Sequence, residues 1–366
     1  MNKNVLLVSS ALLIAGLTTM TSCKKEDNTP AIQPYTVPAT YTFDNTNYTE
    51  AATRVKMMTS FDTYMKSATS TVLDQTKATN MFNNTGNPFG DATLDGSGKS
   101  LSEKTADASV FQQYITNLVT YSQSNNIAAS NGTAGYHMRS STSKTLVGPD
   151  GVEYGQVILK GMMGSLFMKQ AMDILAHIPL DDNNTIVAGQ GTAMQHNWDM
   201  AFGYLAIPAN YDSSKTYTTA DTIRPLLWGG YLAERGKPIQ AGGKLFEAFR
   251  KGRAAIVAKD YATRDAAIKT IQDTWEQLAA ISAYNYVISP QSSSSIGNLG
   301  SQFHALSEGF GFLLALKYRA ASSKLTDANY SRLMQIITTN FYTLVDEPNF
   351  AKLNEAQTIL QTTYGF

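Results

Sequence analysis

Tyr154-Gly-Gln-Val-Ile-Leu-Lys-Gly-Met-Met-Gly-Ser-Leu-Phe-Met-Lys-Gln-Ala-Met-Asp-Ile-Leu-Ala-His-Ile178 is the stretch whose reading decides the fold. Val157, Ile158, Met162, Met163, Leu166, Phe167, Met172 and Leu175 set apolar side chains almost all round a helix. A helix with so little polar face belongs at the centre of a larger body. Outward from it the helical period continues. Thr49 to Ala68 carries Val55, Met58, Phe61 and Met65 at spacings of three and four, and Ser102 to Ser122 lines up Val110, Tyr114, Leu118 and Tyr121. Thr192 to Ala206 ends before Pro208, Gly242 to Lys259 follows Pro238, and Thr263 to Ile288 stops at Pro290. Gln302 to Ala321 and two closing helices complete the pattern. Asn83 to Lys99 and Asn125 to Asp150 read as loops, the second long enough to be a lid. Strand-like alternation is essentially missing. The expected class is all-α, a multi-helix bundle of packed antiparallel helices.

Two of these helices are versions of one another. His196-Asn-Trp-Asp-Met-Ala-Phe-Gly-Tyr-Leu205 aligns without a gap on His304-Ala-Leu-Ser-Glu-Gly-Phe-Gly-Phe-Leu313. Phe, Gly, an aromatic residue and Leu recur at the same offsets from each histidine. A weaker echo precedes each copy, Lys160-Gly161-Met162 in one helix and Lys251-Gly252-Arg253 in another. Pseudo-repeat units near 154–210 and 242–321 are therefore expected, packed as two helical lobes about a local twofold axis. On a helical wheel Trp198, Phe202 and Leu205 form one apolar side, and Leu306, Phe310 and Leu313 the other. His196, Asp199 and Gly203 share the opposite side of the first helix, as do His304, Ser307, Glu308 and Gly311 in the second. Each glycine costs its helix about 1 kcal/mol relative to Ala, so close approach of a neighbour or ligand is expected beside it.

A histidine with a carboxylate one turn away can offer nitrogen and oxygen to a metal such as iron or, less readily, zinc. It can equally be an imidazole held in one tautomer by its acid. The ligand or metal candidates are His196, Asp199, His304 and Glu308, supported by Trp198, Gly203, Ser307 and Gly311. The zinc-protease pattern, the phosphate-cradling lysine loop and the nucleophile elbow are missing. His137 lies in the long loop and reads as exposed. His177 ends a helix, where a cation suits the dipole.

Lys plus Arg and Asp plus Glu number 29 each, giving no net charge and no electrostatic reason to bind nucleic acid. Cys23 is the single cysteine. Ahead of it come Lys3, an apolar run from Val5 to Leu17, and Met20-Thr21-Ser22, the layout of a secretory signal. Residues 1–22 are expected to be removed and Cys23 to carry lipid that anchors the chain in the outer membrane. Residues 23–40, with Pro30, Pro34 and Pro38, read as a lipidated tether, and 41–366 as the helical domain. Lys25-Glu26-Asp27 after the cysteine resembles the export signal of surface lipoproteins in Bacteroidota.

Larger segments carry a second resemblance. They are Tyr41-Thr-Phe-Asp-Asn-Thr-Asn-Tyr48, Lys160-Gly161-Met162-Met163-Gly164 and Gly191-Thr-Ala-Met-Gln-His196-Asn-Trp198-Asp199-Met-Ala-Phe202-Gly203-Tyr204. Lys251-Gly252-Arg253-Ala254-Ala255-Ile256 and His304-Ala-Leu-Ser307-Glu308-Gly-Phe-Gly-Phe312 complete the set. Together they resemble an uncharacterised lipoprotein family of Bacteroidota and other Gram-negative bacteria. That family is similar to the imelysins, two-lobed helical proteins linked to iron or haem uptake. The resemblance implies an imelysin-like bundle and a non-enzymatic surface binding protein accessory to iron or haem acquisition. The imelysin mark is Gly-x-His-x-x-Glu. His196-Asn-Trp-Asp199 keeps its spacing with Asp for Glu and lacks the glycine; Gly135-Tyr-His137 keeps the glycine but has Ser140 for the acid. These departures argue against peptidase activity. The competing reading is an interaction module docking on an outer-membrane receptor without a metal.

Overall fold

The computed structural model describes Ile32 and residues 34–366. Residues 1–22 and Cys23 lie outside the described residues. In chain order the helices are α1 (Thr49–Lys66), α2 (Gln75–Asn83), α3 (Ala92–Asp95), α4 (Ala108–Ser122), α5 (Tyr154–Met162), α6 (Lys169–His177) and α7 (Ala193–Leu205). There follow α8 (Trp228–Glu234), α9 (Ala241–Ala258), α10 (Tyr261–Ile288), α11 (Leu299–Ala315), α12 (Asp327–Ile337), α13 (Phe341–Asp346) and α14 (Ala351–Tyr364). The architecture is an all-α multi-helix bundle, and Ile32–Phe366 cluster as one unit. Among the described residues no helix is long and apolar enough to cross a membrane.

The apolar stretch forms the central rod, α5 running into α6 through a π-helical turn, Met163–Met168, whose residues are all buried. A π turn widens the helix and shifts its carbonyls away from their usual donors. Neighbours take them up. The Trp228 indole N–H donates to the Met163 carbonyl at 2.6 Å, and the Ala106 N–H donates to that of Ser165 at 2.8 Å. On the other side α11 lies against the rod at very short range. A Cβ at Gly164 would fall 2.4 Å from the Ala315 Cα, and one at Gly311 2.4 Å from the Lys160 Cβ. Glycines on both helices are what allow that approach. The long α10 packs on α9, α11 and α14 and closes the far side.

Several details differ from the sequence reading. The long loop contains an antiparallel hairpin of β1 (Gly135–Met138) and β2 (Lys144–Val147). Strands of four residues are too short to register as alternation. The hairpin is held by tertiary contact: the Thr145 hydroxyl donates to the Gly300 carbonyl at 2.9 Å. Helices α2 and α8 fall between the stretches read as helical, α3 lies inside the Asn83–Lys99 stretch read as a loop, and three helices rather than two close the chain. Each is short, so its period is weak, although α2 carries an N-cap in Asp74, which accepts the Lys77 N–H at 2.6 Å. The proline-rich segment is laid along the body from Tyr35 onward. The Tyr35 hydroxyl donates to Asp260 at 2.9 Å, Arg250 donates to the Pro38 carbonyl at 2.5 Å, and the Tyr41 N–H donates to the Ala209 carbonyl at 2.7 Å.

Candidate functional site

The two histidine helices take different neighbours. Helix α7 packs against α1, α6 and α9, and α11 packs against α5, α10 and α12. The helices of the two expected units are thus crossed in their contacts: α5 lies against α11, and α9 against α7. At each contact a basic residue next to the glycine meets the acid of the histidine helix. Arg253 Nε lies 2.9 Å from Asp199, and Lys160 Nζ lies 3.3 Å from Glu308.

Asp199 and Arg253 are both fully buried. The Asp199 carboxylate also accepts the Tyr41 hydroxyl at 2.7 Å and the Asn47 N–H at 3.2 Å. Burial pushes its carboxyl above the usual range, against the pull of Arg253 and of these donors. The Tyr41 ring stacks on Phe202 at 3.6 Å, and a second Arg253 nitrogen donates to the Asp44 carbonyl at 3.3 Å. Trp198 fills the room left by Gly252, where a Cβ would sit 2.1 Å from the indole. Its N–H donates to the Phe249 carbonyl at 2.9 Å. Gly203 faces Tyr48 and Ala51. Asp199 and Arg253 together lock the segment Tyr41–Tyr48 onto α7 and α9 through Tyr41, Asp44 and Asn47. His196, half-buried, takes no part in it, and its Nδ1 is buried without a partner.

The second acid faces a cavity. Between the hairpin, α5, α8, the end of α10 and α11 lies a cleft of about 560 Å³, lined by Arg139, Lys160, Tyr231, Arg235, His304 and Glu308 among others. Glu308 and Lys160 are each 9 % exposed in their side chains. Burial works to raise the Glu308 carboxyl, but Lys160 and His304 outweigh it and hold the group below the usual range. His304 is fixed by Glu153, 2.7 Å from its Nδ1, and turns Nε2 toward Glu308 at 3.8 Å. Ser307 fastens the helix start behind them, accepting the Glu153 N–H at 2.8 Å. The Lys160 ammonium lies over the Tyr231 ring at 5.1 Å. Burial raises both the Tyr231 and Tyr286 phenols well above their ordinary value, which keeps them as hydrogen-bond donors. Gly311 makes room for α5 and not for a ligand.

His304 and Glu308 are therefore brought together, whereas Asp199 is paired elsewhere with Arg253 and Tyr41 and His196 joins neither arrangement. The common pocket expected across a local axis is not what the helices build, because the units interlock instead of meeting histidine to histidine. Among the described residues no group of three or more His, Cys, Asp and Glu gathers as a metal site. His137 is half-buried and not exposed: its Nε2 pairs with the Tyr342 hydroxyl at 2.9 Å, and burial lowers its pKa. His177 is exposed, 3.6 Å from Asp181. Sequence reasoning missed Lys160 and Arg253 as partners of the acids, and Glu153 as the partner of His304. The Lys-Gly and Gly-Arg echoes were the available signal, since a basic residue beside a glycine in an apolar helix needs a buried counter-charge.

Residues 38–362 match the family described as "Domain of unknown function (DUF4856)", and the chain belongs to that family. No curated protein and no solved structure matches it.

Proposed function

We propose that this chain is a non-enzymatic binding protein, held at the outer membrane by lipid on Cys23 and exposed at the cell surface. Its ligand enters the cavity around His304, Glu308 and Lys160, in the service of iron or haem acquisition. One observation carries the reading. Paired ionisable groups from α5, α8 and α11 converge on a solvent-reachable cleft, each set in place by a partner behind it. Ligand sites are concave and hold a few oriented polar groups in this way.

The wall decides between forms of the cargo. A bare ion would have to displace the Lys160 ammonium from Glu308. A porphyrin would find, beyond the rings of Tyr231 and Tyr286, only Ala305 as apolar surface. A polar iron complex fits these groups better than either. The test is calorimetry on the purified full chain with ferric and ferrous ions, haem and a polar ferric chelate, in parent and E308Q proteins. Binding of the chelate that E308Q weakens supports the proposal; no affinity for any of them refutes it. For the anchor, C23A should release the protein from membranes.

An interaction module is the second reading, favoured by one loop. Leu180, Ile186 and Val187 are 78 %, 70 % and 52 % exposed within eight residues of sequence, and such clustering of exposed apolar side chains marks contact surfaces.

A further inference from the structure

The charges lining the cavity cancel in pairs, with one exception. Lys160 lies 3.3 Å from Glu308 and Arg235 3.4 Å from Glu234, while the His304 ring is held by its hydrogen bond with Glu153. Arg139 also lines the cleft, and among the described residues no carboxylate comes within ion-pair distance of its guanidinium. The hydroxyls of Ser289, Ser295 and Ser301 face the same space and make no hydrogen bond among the described residues. One uncompensated guanidinium with several idle hydroxyls is a wall that wants a single negative charge and several hydroxyl groups.

Arg139 is carried there by a built support. It follows β1 directly, and its N–H donates to the Ser143 carbonyl at 2.9 Å to close the turn. Asn298, the N-cap of α11, donates to the Arg139 carbonyl at 3.2 Å. Gly300, in the first turn of α11, is the seat of the hairpin: a Cβ there would lie 2.6 Å from the Met138 carbonyl oxygen and 2.9 Å from the Arg139 nitrogen. Backbone cannot yield at those distances. The missing side chain at Gly300 is therefore what sets Arg139 over the cleft.

We propose that the cavity binds a small polyhydroxylated carboxylate, a sugar acid in class, with its carboxylate on Arg139 and its hydroxyls on the serines. This rests on the reading of the cleft as the ligand site. A guanidinium pairs a carboxylate through two parallel N–H bonds, which fixes orientation as well as charge. A neutral sugar leaves the guanidinium unanswered, and a short acid such as acetate leaves the hydroxyls so.

The experiment is calorimetry on the purified full chain with glucuronate, glucose, acetate and inorganic phosphate. Glucuronate is expected to bind at least 10-fold more tightly than the other three. R139Q is expected to lose about 10- to 100-fold, the value of a charge-assisted hydrogen bond, with an unchanged urea midpoint. G300A should weaken glucuronate while leaving the helical signal intact. Equal binding of glucose, tighter binding of phosphate, or an R139Q protein that binds like the parent overturns the proposal. If none of the four binds but a ferric chelate does, and E308Q weakens it, the sugar-acid proposal fails and the cavity remains the site. If neither glucuronate nor the ferric chelate binds, both fail.

Discussion

The buried pair of Asp199 and Arg253 should respond unequally to losing either partner. Both side chains are 0 % exposed, and Arg253 already has one terminal nitrogen without an acceptor. D199N strands the guanidinium beside a neutral amide. Breaking a buried pair from one side costs about 3–5 kcal/mol, and the loss also weakens what Tyr41 and Asn47 donate to. R253M strands a carboxylate instead, which has an escape. It can take a proton, at a cost of about 1.4 kcal/mol for each pH unit above its ordinary value. With that value at 3.8, the penalty of R253M is capped near 4 kcal/mol at pH 7 and near 2 kcal/mol at pH 5. The guanidinium has no such escape. The sign is consistent with the parent chain, where burial raises the carboxyl: the folded state then holds the proton more tightly, and stability falls as pH rises through the raised value. The assay is urea unfolding followed by fluorescence of the buried Trp198, Trp228 and Trp275, at pH 5, 6 and 7. R253M should recover as the pH falls and D199N should not. A parallel pH response in the two variants, or a cost below about 1 kcal/mol for either, would refute the reasoning.

Three further outcomes are expected. E308Q should flatten the acid limb of the stability curve, because a carboxyl held below 4.5 contributes stability above that value and loses it as pH falls through the lowered one; urea midpoints from pH 3 to 6 check this. G252A and G311A should each destabilise by about 1–3 kcal/mol despite the better helix propensity of Ala, since their methyls would strike Trp198 and the Lys160–Gly161 backbone. G230A meets open space in α8 and should instead gain about 0.5–1 kcal/mol, so the three midpoints together separate crowding from propensity. His137 should titrate below 6.5 by NMR, and because the folded state resists that proton, stability should rise with pH between the lowered value and 6.5.

Much of the fold is legible in the sequence because its helices are long and their apolar content is strong. Val157 to Leu175 announce a central rod, and Thr192 with Gln195 builds a capping box where a start was expected. What stays hidden is pairing between distant segments. Nothing in the period of α7 says that Trp198 enters the gap at Gly252, or that Tyr41 reaches Asp199 across 158 residues. The glycines were read correctly as sites of close approach, but the approaching group is a helix in both cases. The acids were singled out, whereas the bases that neutralise them were not, because an ion pair is specified by tertiary geometry and leaves no spacing rule. The hairpin bearing Arg139 is too short to announce itself, so the cation that completes the cavity is invisible without coordinates.

The central claim is that the cleft at His304 takes the ligand and the arrangement at Asp199 does not. The four histidines are natural reporters, and imidazole NMR of the labelled chain during titration with glucuronate reads them at once. The His304 resonances should move with saturation while those of His196 and His177 stay in place. Movement at His196 with His304 unchanged would contradict the assignment.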